Sequence, residues 1–247
     1  ILNGVDYAAW SPETDTLIPA RYSVQDISGK ITCKLDLQRR FRLEENARIA
    51  LIGFIGRLTG QKGVNLLTEI IERVVNDMVV QVVLLGSGNL QYEQYFRRLP
   101  ERYPGKIGTY IGFHEGMAHG IEAGADFIAM PSLFEPCGLN QMYSLRYGTL
   151  PIVRATGGLD DTVENYDEAT GNGTGFKFRD HTADALYYTV GWAISTYYDR
   201  PDHMRMLREK AMKQNFGWDR SVAEYESLFE TAITSRRFTS ALQSPPS

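Results

Sequence analysis

The chain has 247 residues, 43% of them apolar, which is enough to enclose one large α/β core and argues against a disordered polymer. Its net charge is −4 with acidic and basic residues interspersed, so no single-sign field points to nucleic acid or to a membrane surface, and neither is expected as a partner. No uninterrupted apolar run approaches the ~18–20 residues of a membrane-spanning helix, and two cysteines, Cys33 and Cys137, make no disulfide framework, which suits a reducing compartment.

The chain starts at Ile1 rather than Met, a pattern expected of a fragment or a processed product. Residues 1–45 are punctuated by Pro and Asp, as in Trp10-Ser11-Pro12-Glu13-Thr14-Asp15, and show a helical pattern only near 30–43. They are expected to form an interdomain lead-in. A Rossmann-like domain with C-terminal helices is expected over 46–236 and a flexible tail over 237–247.

From residue 48, short apolar runs alternate with longer amphipathic stretches. The runs are 49–55, 79–85, 107–111, 127–130 and 151–153, with a weaker one at 176–178. Runs of this length, rich in Val and Ile, suit strands covered on both faces. Between the first two, Leu66, Leu67, Ile70, Ile71, Val74 and Val75 mark one helical stripe. The alternation predicts parallel βαβ units, hence an α/β fold with a doubly wound parallel sheet. Further helices are expected at 184–198, 203–214 and 221–236.

In such sheets ligands bind beyond the carboxyl ends of the strands, which selects five loops. After the first run, Gly56-Arg57-Leu58-Thr59-Gly60-Gln61-Lys62-Gly63 sets Arg57 and Lys62 on a glycine-flanked loop that enters a helix. The guanidinium fork and the ammonium point charge suit a diphosphate, although a solvated basic turn has the same spelling. After the second, Gly86-Ser87-Gly88 lacks the third glycine of a dinucleotide fingerprint and reads as a plain strand-to-helix turn.

After the third, His114 and His119 stand five apart, whereas a zinc pair on a helix needs four, so metal ligation is disfavoured. Phe113 in the same loop could stack on a nucleobase or pack into the core. The fourth loop, Pro131-Ser132-Leu133-Phe134-Glu135-Pro136-Cys137-Gly138-Leu139-Asn140-Gln141, places a carboxylate before a turn whose amides open a helix. Glu135 could accept hydrogen bonds from sugar hydroxyls there, or simply be a charge favoured at a helix start. The fifth, Thr156-Gly157-Gly158-Leu159-Asp160-Asp161-Thr162, again opens a helix with glycines whose amides could touch sugar or phosphate. No Asp-x-Asp pair occurs, so a divalent metal on the diphosphate has no obvious ligands and Arg57 and Lys62 would neutralise the leaving group.

Taken together, Asn3-Gly4-Val5-Asp6 with Trp10-Ser11-Pro12, Gly56-Arg57-Leu58 with Gln61-Lys62-Gly63, the 131–139 stretch, Arg146-Tyr147-Gly148-Thr149 and Thr156-Gly157-Gly158-Leu159-x-Asp161-Thr162-Val163 resemble the bacterial glycogen synthase and plant starch synthase family. The resemblance runs from residue 1 to about 235. It implies one of the two Rossmann-like domains of a GT-B glucosyltransferase, the C-terminal donor-binding one. The implied reaction transfers glucose from ADP-glucose to the non-reducing end of an α-1,4-glucan with retention and without a metal.

By the same resemblance, Arg57 and Lys62 contact the diphosphate and Glu135 the 3- and 4-hydroxyls of the donor glucose. Amides around Cys137, Gly138, Leu139 and Asn140 hold sugar and phosphate, with Gly157 and Gly158 nearby. Tyr143 lies near the ribose and Phe113 stacks on adenine. Cys137 reads as a small pocket residue in preference to a redox-sensitive thiol.

The family's Lys-x-Gly-Gly-Leu motif and acceptor-side histidine have no counterpart here, so the chain is expected to bind donor weakly and not to elongate glucan alone. Bacterial cytoplasm or plastid stroma is the implied location. Rival readings are a UDP-glucose-using retaining transferase, a non-catalytic sugar-nucleotide or glucan-binding module and, more remotely, a dehydrogenase.

Overall fold

The computed structural model describes residues 1–242, with side chains described through residue 234. Its strands are β1 (Ala50–Ile55), β2 (Val80–Gly86), β3 (Ile107–Ile111), β4 (Phe127–Met130), β5 (Leu150–Arg154) and β6 (Phe176–Phe178), so all six apolar runs become strands with shifts of one residue at most. Every pairing is parallel and the order is β3-β2-β1-β4-β5-β6. The doubly wound α/β sheet expected from the alternation is therefore present. The order reverses direction between β1 and β4, the position where such sheets leave a crevice at their carboxyl edge.

The helices are α1 (Ser28–Arg40), α2 (Val64–Asp77), α3 (Leu90–Arg102), α4 (Glu115–Gly124), α5 (Asn140–Arg146), α6 (Gly157–Thr162), α7 (Ala183–Asp199), α8 (Pro201–Met212) and α9 (Trp218–Leu242). Strand side chains alternate between two cores. Ile52, Phe54, Val82 and Leu84 pack with Ile70 and Val74 of α2 and Val190 of α7. Leu51, Val83, Leu85 and Ile128 pack with Leu37 of α1 and Ile121 of α4. Two covered faces explain why β2 is buried at all seven positions and why its sequence shows no polar alternation. The six-residue stripe of α2 is buried throughout, as its spacing requires.

Residues 1–45 pack closely against this body. Cys33 and Leu37 of α1 are buried, Val5 pairs with Gly217, and the Tyr22 hydroxyl donates to the Tyr147 carbonyl oxygen at 2.8 Å. The cause is packing: Gly124 at the end of α4 lies so close that a Cβ there would fall 2.7 Å from the Cys33 carbonyl oxygen.

The helix expected at 221–236 begins earlier and runs to Leu242, so the tail expected from 237 begins as helical backbone, and residues 243–247 of that tail lie outside the described residues. Along α9, Trp218, Val222, Tyr225, Phe229 and Ile233 are exposed and recur at helical spacing. No helix among the described residues is long and apolar enough to cross a membrane.

Candidate active site at the β1/β4 switch point

The loop after β1 turns sharply into α2. Gly63 has φ +70°, and a Cβ on it would sit 2.0 Å from the Pro131 carbonyl oxygen, so only glycine lets the start of α2 lie against the end of β4. That approach brings together two side chains 73 positions apart: Lys62 Nζ lies 2.5 Å from Glu135 Oε2. Glu135 is buried, and its Oε2 also accepts from the Ser132 hydroxyl at 3.3 Å.

Arg57 is exposed at the rim, where its Nη2 donates to Gln61 Oε1 at 3.0 Å. Gln61 in turn donates through Nε2 to the Phe134 carbonyl oxygen at 2.8 Å, and its own carbonyl accepts from the Leu133 N–H at 2.9 Å. A single glutamine thus fastens the cationic loop to the loop that carries the acid. On the other side, Asn140 Nδ2 donates to the Ile55 carbonyl oxygen at 3.0 Å, tying the start of α5 to the end of β1.

These groups line one cavity of about 370 Å³ beyond the ends of β1 and β4, a volume within the range of small-ligand sites. Arg57, Lys62, Glu135, Cys137, Gly138, Leu139 and Asn140 all contribute to its wall, so seven residues singled out from the sequence converge. The backbone N–H groups of Cys137 to Asn140 donate no hydrogen bond among the described residues, which leaves them available to an anionic or hydroxylated ligand. Asn3 also lines the cavity; it stood in a quoted motif but was given no role.

The remaining singled-out residues lie elsewhere. Phe113 follows the edge strand β3, two strands from the cavity, and is 86% exposed, which rules out the core-packing alternative. The Gly158 N–H donates to the Glu135 carbonyl oxygen at 2.9 Å, and a Cβ there would lie 2.0 Å from the Cys137 carbonyl oxygen. It supports the loop beneath Glu135 and Cys137. Gly157, at φ +46°, makes the same approach, its Cβ position 2.4 Å from the Glu135 carbonyl oxygen.

Tyr143 is half-buried and stacks on Trp10 with centroids 4.1 Å apart and planes 3° from parallel. Trp10 stacks on its other face against His119 at 3.8 Å. Burial pushes the Tyr143 hydroxyl up, with the charges of Glu122 and Asp6 adding to the effect. His119 is buried and its Nδ1 lies 2.7 Å from Asp15 Oδ2, which also accepts from the Tyr147 hydroxyl. His114 instead caps α4, its Nδ1 accepting from the Met117 N–H at 3.2 Å. The two histidines thus have separate structural duties. Sequence reading missed the His119–Trp10–Tyr143 stack, and no local pattern links residues so far apart.

The Gly86-Ser87-Gly88 turn is a strand-to-helix turn. Its Gly88 N–H donates to Glu93 and Asn89 caps α3.

A family model described as Glycosyl transferases group 1 matches residues 36–214. The chain belongs to the group 1 glycosyl transferases. Within this family it is 56% identical over 236 residues to "Glycogen synthase 1" of Geobacter sulfurreducens, covering 96% of the chain and 47% of that protein. It is 45% identical over 239 residues to the "Glycogen synthase" of Geobacillus stearothermophilus, covering 97% and 49% respectively. The chain spans about half the length of the curated relatives it matches.

Among solved structures, the catalytic domain of starch synthase IV from Arabidopsis thaliana, bound to ADP and acarbose, superposes with a TM-score of 0.88. It is 34% identical, and the match covers 95% of this chain and 49% of that one. Sucrose-phosphate synthase of Thermosynechococcus elongatus, at 19% identity, TM-score 0.60 and coverage of 83% and 51%, shares the fold. The likeness to glycogen and starch synthases read from the motifs is thereby borne out.

Proposed function

We propose that this chain is the sugar-nucleotide-binding, C-terminal half of a GT-B glucosyltransferase that passes glucose from ADP-glucose to the non-reducing end of an α-1,4-glucan, retaining the α-configuration. The observation that carries the reading is the convergence of two cations and one buried carboxylate on a single cavity at the β1/β4 switch point. A diphospho-sugar needs such a set: positive charge for the phosphates and an acceptor for sugar hydroxyls. The choice of ADP is supported by the starch synthase IV structure, which holds ADP.

In the proposed reaction, Arg57 and Lys62 face the diphosphate, and Glu135 accepts hydrogen bonds from the 3- and 4-hydroxyls of the donor glucose. As the glycosidic bond breaks, negative charge accumulates on the departing nucleoside diphosphate. Cations held in place beforehand stabilise that charge more than they stabilise the ground state, which lowers the barrier. We assign this neutralisation to protein cations and propose that no metal is needed. The amides of Cys137 to Asn140 supply further donors, and exposed Phe113 offers a face for the adenine. The acceptor glucan and the acceptor-side histidine belong to an N-terminal domain facing this cavity.

Calorimetric titration of ADP-glucose and UDP-glucose into the chain, beside a glucan-elongation assay, tests the reading. Weak binding with ADP-glucose preferred and no elongation by the chain alone is expected. Preference for UDP-glucose would transfer the proposal to the UDP-dependent transferases, and absence of binding by either would overturn it.

A further inference from the structure

At the amino ends of the strands, on the opposite edge of the sheet from the donor cavity, a second cavity of about 730 Å³ opens between residues 24–27, the lead into β1, the end of α7 and α8. Its size suits a small organic ligand. The proposed glucosyl transfer makes no use of it.

Its walls divide by chemistry. Tyr197, Met204 and Met212 supply apolar and aromatic surface, while Arg48, Arg205 and Arg208 bring three guanidinium groups against one carboxylate, Glu209. Glu209 Oε1 accepts from Arg205 at 3.1 Å, and exposed Asp202 Oδ1 lies 3.8 Å from the other end of the same guanidinium. Arg48 takes part in no ion pair among the described residues. Arg208 spends Nη2 on Asp126 Oδ1 at 2.7 Å, and its Nε has no partner among the described residues.

The ground beneath the cavity is also rich in positive charge. Asp126, the carboxylate paired with Arg208, is shared with buried Lys34 at 2.6 Å. Close by, the Lys30 ammonium is buried and donates only to neutral oxygens, the carbonyls of Ala123 and Tyr147 and the hydroxyl of Thr149. Burial first, and then the charge of Arg208, bring Lys30 down to about 7. Two cations, Arg208 and Lys34, share the single carboxylate of Asp126, which leaves a positive potential that an incoming anion would relieve.

We propose that this cavity is a binding site for an organic phosphate, with a planar or apolar body against Tyr197, Met204 and Met212 and its phosphate held by Arg48, Arg205 and Arg208. Guanidinium forks match phosphate oxygens in pairs, and the apolar wall distinguishes a phosphate ester from the bare ion. The site is independent of the donor reading and can fail without it.

The test uses the 247-residue chain labelled with ¹³C at the methionine methyls and titrated with 1-naphthyl phosphate. Met204 and Met212 report this cavity, and Met130, which lines the donor cavity, reports the other. Saturable shifts at Met204 and Met212 with Met130 unmoved are expected. Binding should weaken at least about tenfold for 1-naphthol, for inorganic phosphate, and for Arg48→Ala combined with Arg205→Ala, each having lost charge-assisted or apolar contact. Both arginines are exposed, so the thermal midpoint of the double variant should match that of the parent.

Naphthol or the double variant binding as tightly would reduce the cavity to an apolar hole and overturn the proposal. Shifts confined to Met130, or none up to millimolar ligand, would overturn it too.

Discussion

Lys62 Nζ stands 2.5 Å from Glu135 Oε2, and the two side chains come from opposite sides of the point where the sheet reverses its winding. The pair gives the cavity a cation and an acid at once. Neither could take its place without the other loop, because Gln61 fastens the two together.

Arg57→Ala and Lys62→Ala, each made in the complete enzyme, should lower kcat by about 100- to 1000-fold, the usual cost of removing one preorganised group that stabilises developing charge. Steady-state kinetics with donor varied checks this. Turnover close to the parent's in both variants would remove them from the mechanism.

Gly63→Ala should unfold more readily than the parent by roughly 1–3 kcal/mol, since φ +70° and a carbonyl oxygen 2.0 Å from the new Cβ both oppose it. It should also displace Lys62 and weaken donor binding. Gly60→Ala is the comparison: the nearest heavy atom to its Cβ position is Asn65 Oδ1 at 4.0 Å, and its stability should stay within about 0.5 kcal/mol of the parent. Urea melts of the two variants decide the matter.

Glu122 is fully buried, its Oε2 accepts from the Ser144 hydroxyl at 2.6 Å, and burial raises it from 4.5 to about 8. Between those values the folded chain keeps a proton that the unfolded chain has released, so stability should fall as pH rises through that window, by up to about 1.4 kcal/mol per unit. Lys30 acts in the opposite sense. It loses its proton at about 7 when folded and at 10.5 when unfolded, so its contribution grows with pH above about 7. Urea midpoints should therefore decline from pH 5 to 7 in the parent, and Glu122→Gln should flatten that decline. An equally steep decline in the variant would exclude Glu122 as its source.

Trp10 and Tyr143 should be coupled by about 0.5–1.5 kcal/mol in a double-mutant cycle of Trp10→Ala and Tyr143→Ala, as stacked aromatic pairs generally are. Equilibrium unfolding of the four proteins gives the number. Additive losses would mean that the stack contributes nothing beyond burial.

Strands were legible in the sequence wherever both faces are covered, because Phe127–Met130 then reads as an unbroken apolar run and Val80–Gly86 as one interrupted only by Gln81 before its closing glycine. The α2 stripe was legible for a related reason, its seven buried residues all lying on one side of a long amphipathic helix. By contrast, α3 buries only Phe96 and Leu99 and carries Pro100 in its last turn, and α4 opens on Glu115-Gly116, so neither shows the long apolar stripe that marks α2.

Within the candidate site, the glycine-flanked cations and the Glu135 turn were visible because each is written in a few consecutive letters. The stack of His119, Trp10 and Tyr143 was invisible because it joins three distant segments. Gly158 was visible as a glycine needing close approach, but the sequence could not say that the approaching group is the Cys137 carbonyl rather than a ligand.

The Gln61 tie between the two loops has a consequence for how the grip comes into being during synthesis and folding. A nascent chain that has laid down only β1 to β3 holds Arg57 and Lys62 but has nothing for Gln61 to fasten. The cationic half then waits, without that tie, until β4 slots in beside β1 and delivers residues 131–135. Transplanting this cavity into another scaffold would accordingly mean moving both winding directions of the sheet together, since its wall is drawn from both.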